Sequence, residues 1–284
     1  MSGLTPGLTL QIDYPAIRAD FIAFIESRKF NSRYVGTMLS YLDRYVKAPI
    51  QSPMDVIKAF SPLTSGQQHN LSRGLRNLFN FLEAQGWKRD YLDMLRKNIP
   101  KDETGVDLEI PTPEEIVTSL KVMADGLLKY RALYNLVLDS GLRLIEACSL
   151  INDRAEIHVE KFDGFYAVEL GYFRRSKLAY FGFFSEHTWG LIQQVNEEID
   201  WEDAVTYVRK RPEAVAWKYL RKFANDTMTN EELNIPESTA DFIQGRTPKS
   251  VGARHYMKLK RKAVEFYPRY AEYLATLRSK AGLN

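Results

Sequence analysis

Apolar residues recur every three or four positions through the first third of the chain. Ile17, Phe21 and Ile25 would lie on one side of a helix. Two later segments repeat this spacing: Val35, Met38, Leu39, Leu42, Tyr45 and Val46 in the first, and Leu71, Leu75, Leu78, Phe79 and Leu82 in the second. This period is typical of amphipathic helices and not of strands. We therefore predict several helices between residues 14 and 98 that pack their apolar sides together.

The helical period stops between residues 98 and 112. This segment contains two prolines, one glycine and four acids, a composition typical of a linker between domains. We predict an N-terminal helical domain over residues 1–98, a linker over 99–111 and a second domain over 112–284. The second domain should open with a helix, because Thr112, Pro113 and Glu115 match an N-cap, a first-turn proline and a capping box.

One segment of the second domain has the pattern of β-structure. A helical stripe over residues 127–139 precedes it, and helical spacing returns from Thr188 onward. Between them, the aromatic and branched residues of 165–172 can pair with those of 179–184 across a polar turn, which predicts a β-hairpin. The expected fold class is mainly α: a helical N-terminal domain and an α-rich second domain with a small antiparallel β-hairpin sheet.

Basic residues are concentrated in two segments, although the whole chain is close to neutral. Its 39 Lys and Arg face 36 Asp and Glu, for a net charge of +3. Six basic residues lie between residues 209 and 222 with Glu213 as the single acid, and six more lie between 249 and 262 with none. Such runs are typical of phosphate-binding surfaces. They also occur on solvated helix faces, and the sequence alone leaves both interpretations open.

The composition argues against several classes of protein. Cys148 is the one cysteine, so no intramolecular disulfide can form, and no Cys/His cluster has the spacing of a structural zinc site. Residues 1–11 lack the pattern of a signal peptide, and no apolar stretch approaches the roughly 18 residues that a membrane span needs. We expect a cytoplasmic protein that uses no metal or cofactor and does not enter a membrane.

Arg143 follows a glycine turn and precedes Glu146 by three residues. On a helix these two positions share one face, so we expect the carboxylate to orient the guanidinium. A guanidinium held in place is suited to binding a phosphate. An ordinary surface ion pair has the same spacing and stays an alternative.

Three further positions carry candidate chemistry. Lys218 and Arg221 are also three residues apart, and like charges at that spacing repel unless an anion or solvent lies between them. Lys177 lies at the predicted hairpin turn, where a lysine usually serves solubility. Tyr256 lies in the acid-free basic segment, where cations favour a phenolate. Taken singly, the cations fit a solvated surface and the tyrosine fits a core position.

Taken together, these pieces resemble the tyrosine recombinase, or integrase, family. A Gly-x-Arg-x-x-Glu segment at Arg143, a hairpin lysine, a basic residue three positions before Arg221, and a Gly-Arg pair before a tyrosine follow the family's order. The archaeal viral and plasmid integrases look most similar, because they accept lysine where other members carry histidine. The likeness covers residues 112–275 by these motifs, and Tyr256 follows Arg221 by 35 residues.

The resemblance implies a role for each residue. Arg143 and Arg221 would bind the non-bridging oxygens of the scissile phosphate. Lys177 would protonate the departing 5′ oxygen, and Lys218 would assist with proton transfer or charge. Tyr256 would form a 3′-phosphotyrosyl link that conserves the bond energy, so that strands are rejoined without ATP or metal. Further participants would be Glu146, as a support for Arg143, and the DNA contacts Arg174, Arg175, Lys222, Lys249 and Arg254.

Two positions depart from the family pattern. Lys218 stands where most members carry histidine, and a lysine with an ordinary pKa is a poor base near neutral pH. The family also carries a His or Trp shortly before the tyrosine, where this chain has Arg246 ten residues before it and Lys249 seven residues before it. We favour Arg246, which follows Gly245, as the additional catalytic residue.

The resemblance also implies how the protein would act. It would be a site-specific recombinase of double-stranded DNA whose two domains clamp a duplex. It would form a tetramer on paired recombination sites, with residues 267–280 packing between subunits. Two alternatives stay open: a type IB topoisomerase, which nicks and reseals one duplex as a monomer, and a DNA-binding protein without activity.

Overall fold

The chain forms two compact units, Met1–Asp107 and Leu108–Asn284. The computed structural model describes residues 11–101, 107–174, 177–246 and 253–283, and for 172–174, 177–179 and 253–257 it describes the backbone only. The division between the units lies inside the segment that the sequence analysis assigns to a linker. Each unit has an apolar core of its own.

The described part of the first unit is helical, apart from one isolated bridge between Ile12 and Ile50. Asp13 and Asn31 cap the first two helices by accepting hydrogen bonds from first-turn N–H groups. The helices of this unit are α1 (Tyr14–Ser27), α2 (Ser32–Tyr45), α3 (Pro53–Phe60), α4 (Ser65–Ala84) and α5 (Arg89–Arg96). The several helices expected between residues 14 and 98 are therefore confirmed.

Helix α4 lies at the centre of the first unit. Leu71, Leu75 and Leu78 on its apolar side are fully buried, as the sequence period predicts. Gly74 lets α2 approach closely, because a Cβ at this position would lie 2.9 Å from Cγ of Leu42. The two helices thus pack with little space between them, and their polar sides form the walls of a shared groove.

The second unit is also mainly helical and is built around one buried helix. Thr112 starts its first helix as predicted, because the hydroxyl and Glu115 form a capping box. Every residue from Ala132 to Ser140 is buried, which makes that helix a core element rather than an amphipathic one. The helices are α6 (Pro113–Ala124), α7 (Leu128–Ser140), α8 (Leu144–Asn152), α9 (Glu186–Gln193), α10 (Trp201–Arg209), α11 (Trp217–Thr229), α12 (Glu237–Ile243) and α13 (Ala253–Lys280).

A small antiparallel sheet lies between α8 and α9 in the chain. The predicted hairpin is present as β2 (Phe165–Arg174) and β3 (Lys177–Ser185), and a third strand, β1 (Val159–Lys161), pairs with β2. The order is β1-β2-β3. The sequence analysis missed β1, because its three residues, two of them charged, are too few to establish an alternating pattern. The mainly α fold class with a small antiparallel sheet is confirmed.

A buried ion pair fixes the end of α13 against α7. Asp139 is fully buried and accepts from Arg278, and its other oxygen accepts from the Ser185 N–H at 2.8 Å and the Thr188 hydroxyl at 2.7 Å. Asp139 thereby joins α7, α9 and α13. The carboxylate and guanidinium are compensated by each other and by hydrogen bonds, as buried charges need to be.

The remainder of α13 is also used within its own unit. The Tyr270 hydroxyl donates to the Leu138 carbonyl at 2.8 Å, and the Tyr267 hydroxyl donates to the Asp139 carbonyl at 3.2 Å. These carbonyls belong to the last turn of α7, where helical partners are missing. Tyr267, Tyr270 and Leu274 are fully buried. We expected the segment 267–280 to pack between subunits. Its apolar side packs on the core of its own unit.

The described helices include none that is both long enough and apolar enough to cross a membrane.

Candidate active site

The turn that carries Arg143 is fixed by its neighbours. α7 ends at Ser140, and Gly141 takes the left-handed conformation, with φ at 59°, that favours glycine at helix ends. The Ser140 hydroxyl accepts a hydrogen bond from the Leu142 N–H at 3.1 Å, and the Leu142 side chain is fully buried. Arg143 therefore leaves the core at a defined point, with 33% of its side chain exposed.

Glu146 holds Arg143 by both its main chain and its guanidinium. One carboxylate oxygen accepts from the Arg143 N–H at 3.0 Å, and the other accepts from Nη1 at 2.7 Å. The sequence analysis placed both residues on one helix face. The ion pair is present, but Arg143 is the N-cap residue of α8 and Glu146 its third residue. The first contact is therefore one half of a capping box, which fixes the main chain as well as the side chain of Arg143.

Arg221 points from α11 toward the turn that precedes Arg143. Its Nη1 donates to the Gly141 carbonyl at 2.6 Å and to the Gln244 carbonyl at 3.1 Å. No carboxylate pairs with Arg221 in the described part of the chain. The central guanidinium is thus held by two neutral acceptors, one from the segment before Arg143 and one from the segment before Arg246.

Arg246 completes the group of arginines. It follows Gly245, whose φ is 66°, and its Nη1 donates to Asp241 Oδ1 at 2.8 Å. The Arg246 and Asp241 side chains are 40% and 33% exposed, so this pair is accessible to a ligand. Lys249, the other candidate for this position, lies outside the described residues. Of the two candidates, Arg246 is therefore the one that the structure describes. It lies two residues after Gln244, whose carbonyl accepts from Arg221.

The Arg221 guanidinium is perturbed by its surroundings. Burial lowers the pKa of the Arg221 guanidinium to about 9, and the charges of Arg143 and Arg246 contribute to the shift. The carboxylates of Glu146 and Asp241 act in the opposite direction. A lowered arginine pKa means that the charged form is less favourable here than in water. A phosphate bound among the guanidiniums would stabilise the charged form, because planar guanidiniums pair well with phosphate oxygens.

Lys218 has different surroundings from Arg221, although both lie on α11. Its side chain is exposed, and Nζ lies 4.4 Å from the centre of the Tyr219 ring. Lys222 Nζ lies 5.1 Å from the same ring and donates to the Glu109 carbonyl at 3.0 Å. The two lysines thus make cation–π contacts with one tyrosine, whereas Arg221 turns toward the arginine group.

Several predicted site residues lie wholly or partly outside the described residues. Arg175 is not described. Lys177 begins β3 and pairs in register with Arg174, the last residue of β2, but their side chains are outside the description. Tyr256 and Arg254 lie in the first turn of α13, again by backbone alone. Their contacts with the arginine group therefore stay predictions.

Two residues that hold the arginines were not predicted from the sequence. Asp241 pairs with Arg246 across the end of α12, and Gln244 accepts from Arg221. Asp241 lies five residues before Arg246, a spacing that matches no helical pairing rule. Gln244 accepts from the Arg221 guanidinium through its main-chain carbonyl, so side-chain type gives no signal of that contact. The nearest signal in the sequence is the Gly-Arg pair at residues 245–246, which marks a candidate functional segment.

A second polar surface lies in the first unit, in the groove between α2 and α4. Residues 31–42 and 65–82 contain no acid. Arg73 is exposed there, and its guanidinium lies 5.8 Å from the Tyr34 ring centre. The Tyr34 hydroxyl also accepts from Asn77 at 3.1 Å. The groove is lined by Asn31, Arg33, Tyr34, Thr37, Met38, Asn70 and Arg73. We name this surface the α2/α4 groove.

Most of the second unit matches a known protein family. A family model described as archaeal phage integrase covers residues 108–273, which is more than half of the chain. The chain belongs to the archaeal phage integrase family. The matched segment of this integrase includes Arg143, Arg221, Arg246 and Tyr256. A search of curated proteins found none that matches.

Membership in this family identifies the general activity. An integrase binds DNA and takes part in its site-specific recombination or integration, so the expected partner and the expected class of enzyme are confirmed at that level. The arginine group lies inside the matched segment and has the chemistry that phosphate binding requires.

Proposed function

We propose that this integrase cuts and rejoins DNA through a covalent 3′-phosphotyrosyl intermediate with Tyr256 as the nucleophile. The convergence of Arg143, Arg221 and Arg246 carries this proposal. The outer two arginines each have one carboxylate partner, and the central one has only carbonyl partners among the described residues. A scissile phosphodiester supplies the negative charge that this arrangement lacks.

In the cutting step, the Tyr256 phenolic oxygen forms a bond to phosphorus as the bond to the 5′ oxygen breaks. Lys177 gives a proton to the departing 5′ oxygen, and the phenolic proton passes to solvent with assistance from Lys218. Arg143 and Arg221 stabilise the charge on the non-bridging oxygens in the transition state, and preorganised charge of this kind is the main catalytic term in phosphoryl transfer.

In the rejoining step, a 5′ hydroxyl attacks the phosphotyrosyl phosphorus and releases Tyr256. No energy source is consumed, because one phosphoester replaces another. If the attacking hydroxyl belongs to a different duplex, the strands have been exchanged. Two duplexes cut on both strands need four nucleophiles, and we therefore propose that four protomers assemble on the DNA.

The first unit contributes further DNA contacts through the α2/α4 groove. Its absence of acids and its exposed Arg73 are suited to a phosphate backbone. The amide of Asn70, which lines the groove, offers a hydrogen bond to phosphate or sugar oxygens. In the second unit, we expect Lys222, Arg174 and Arg254 to contact the DNA backbone.

A nicked suicide duplex tests the covalent step, because the departing strand diffuses away and traps the adduct. The wild-type protein should form a DNA–protein adduct that resists denaturation, and Tyr256→Phe should form none, since phenylalanine has no oxygen to attack phosphorus. Tyr219→Phe serves as a matched control and should retain the adduct. If Tyr256→Phe still forms the adduct, another residue is the nucleophile, and if the wild type forms none, the protein only binds DNA.

A further inference from the structure

Gln244 lies between the segments that carry the arginines. It follows the last residue of α12 and precedes Gly245, and its side chain has no exposed surface. A fully buried amide loses its hydrogen bonds to water and needs partners within the protein. The proposed chemistry gives this residue no role, so its position calls for a physical account.

The contacts of Gln244 are made with both ends of Arg221. Its main-chain carbonyl accepts from Arg221 Nη1 at 3.1 Å, and its side-chain Nε2 donates to the Arg221 carbonyl at 3.4 Å. One residue thereby ties the guanidinium of Arg221 and the main chain of α11 to the end of α12. Rotation of the arginine side chain away from the site would break the first of these contacts.

Gln244 also packs directly on Gly141. A Cβ on Gly141 would lie 2.7 Å from Gln244 Cγ and 3.2 Å from its Nε2. The Gly141 carbonyl is the second acceptor of Arg221, at 2.6 Å. The two carbonyls that hold the guanidinium thus belong to residues in mutual contact, so a displacement of the glutamine side chain is transmitted to both acceptors.

Stability alone does not explain an amide at this position. Gln244 Oε1 is buried, and among the described residues it has no hydrogen-bond partner. An unpaired buried acceptor is unfavourable, and an apolar side chain of the same length would avoid that cost. The amide of Gln244 is therefore better explained by the groups that it positions than by stability.

We propose that Gln244 is a positioning residue that holds the Arg221 guanidinium in the orientation that binds the scissile phosphate. This inference rests on the proposed function. Gln244 does not touch the DNA, and it acts through Arg221 and through the Gly141 turn. Its effect therefore belongs to the rate of the chemical step and not to the affinity for DNA.

Two substitutions test this role with the suicide duplex at saturating DNA. Gln244→Met keeps the length of the side chain and removes the amide, and we expect adduct formation to slow about 10- to 100-fold, as slight misplacement of a catalytic group does. Gln244→Glu keeps the shape but replaces the amide donor with a carboxylate oxygen, which cannot donate to the Arg221 carbonyl and repels it. We expect at least the same loss, with the dissociation constant for DNA changed less than about threefold.

A double-mutant cycle separates positioning from a general structural effect. Arg221→Lys alone should slow adduct formation about 100-fold or more. If Gln244 acts through Arg221, then Gln244→Met should add less than about twofold in the Arg221→Lys background. Gln194→Met is the matched control, because Gln194 is also the C-cap residue of a short helix but has an exposed side chain. It should leave the rate unchanged.

The outcomes distinguish this inference from the proposed function. Wild-type rates in both Gln244 variants, or additive losses with Arg221→Lys, overturn the positioning role alone. A loss in Gln244→Met that follows a lowered melting temperature, with Gln244→Glu cleaving normally, assigns the amide to stability and overturns it as well. Absence of any adduct from the wild-type protein overturns both proposals.

Discussion

Arg143 is the N-cap residue of α8, so it lies just before that helix. Its spacing of three residues from Glu146 had predicted that both residues lie within the helix. A separation of three residues fits a pair on one helix face, and it also fits an N-cap residue with the third residue of the helix. The capping geometry is the more restrictive of the two, because Glu146 binds the Arg143 main chain as well as its guanidinium. The carboxylate therefore fixes both the main chain and the guanidinium of Arg143.

This geometry predicts that lysine cannot replace Arg143. Arg143→Lys keeps the positive charge but loses the planar fork that binds Glu146 and a phosphate at the same time. We expect adduct formation at saturating DNA to fall about 100- to 1000-fold, the usual cost of losing one transition-state donor. The affinity for DNA, measured by fluorescence anisotropy, should change far less.

Arg154 offers a matched control for that substitution. It is partly buried in the same unit and donates to the Ile151 and Val195 carbonyls, away from the arginine group. Arg154→Lys should cleave at nearly the wild-type rate. Equal losses of adduct formation in the two variants would show a general effect of replacing an arginine in this unit. The specific role of Arg143 would then be abandoned.

The sequence marks the candidate catalytic residues more clearly than the residues that hold them. Arg143 and Arg221 could be singled out because a glycine turn and a basic cluster mark them locally. Gly141 and Gln244 bind the Arg221 guanidinium from 80 and 23 residues away, and both do so through main-chain carbonyls. Every residue carries such a carbonyl, so side-chain type cannot indicate which ones converge.

At the scale of elements, long periodic segments were predicted well. Three helices of the first unit (α1, α2 and α4), the capped start of α6 and the hairpin β2–β3 follow from local pattern alone. The exception is β1, which is too short to show a period. Helix α7 was predicted over residues 127–139, but its burial on all sides was not. Such burial depends on long-range packing that a single sequence does not reveal.

A buried ion pair between Arg278 and Asp139 joins α13 to α7, and this predicts a large effect of Arg278→Met. The variant leaves the Asp139 carboxylate buried without its cation, so we expect the free energy of unfolding of the second unit to fall by about 3–5 kcal/mol. Urea denaturation at neutral pH measures it.

Lys161→Met is the matched control within the same unit. Lys161 pairs with Glu186 at 3.0 Å, but the two side chains are 66% and 49% exposed. Exposed pairs contribute about 0–1 kcal/mol, so this variant should be almost as stable as the wild type. A similar small loss for Arg278→Met would show that α13 is held by its apolar contacts, and the ion pair would not be the main attachment.

At the scale of the whole molecule, the near-neutral net charge conceals surfaces of one sign. Each of the two units has its own core and its own cluster of basic residues, the arginine group in one and the α2/α4 groove in the other. The family match covers the second unit, so a DNA-binding role for the first unit depends on its own charges. Counterion release provides a way to measure that role separately.

The dependence of DNA affinity on salt should decrease when the α2/α4 groove loses a cation. Arg73→Gln removes an exposed guanidinium that has no acid near it in the sequence, so the slope of log affinity against log salt should become shallower by about one for one lost phosphate contact. Arg89→Gln is the control, because Arg89 is 76% exposed yet lies beside Glu83 and Asp93, which already neutralise it. Its slope should match the wild type, and equal slopes for all three proteins would place the DNA contacts of the first unit elsewhere.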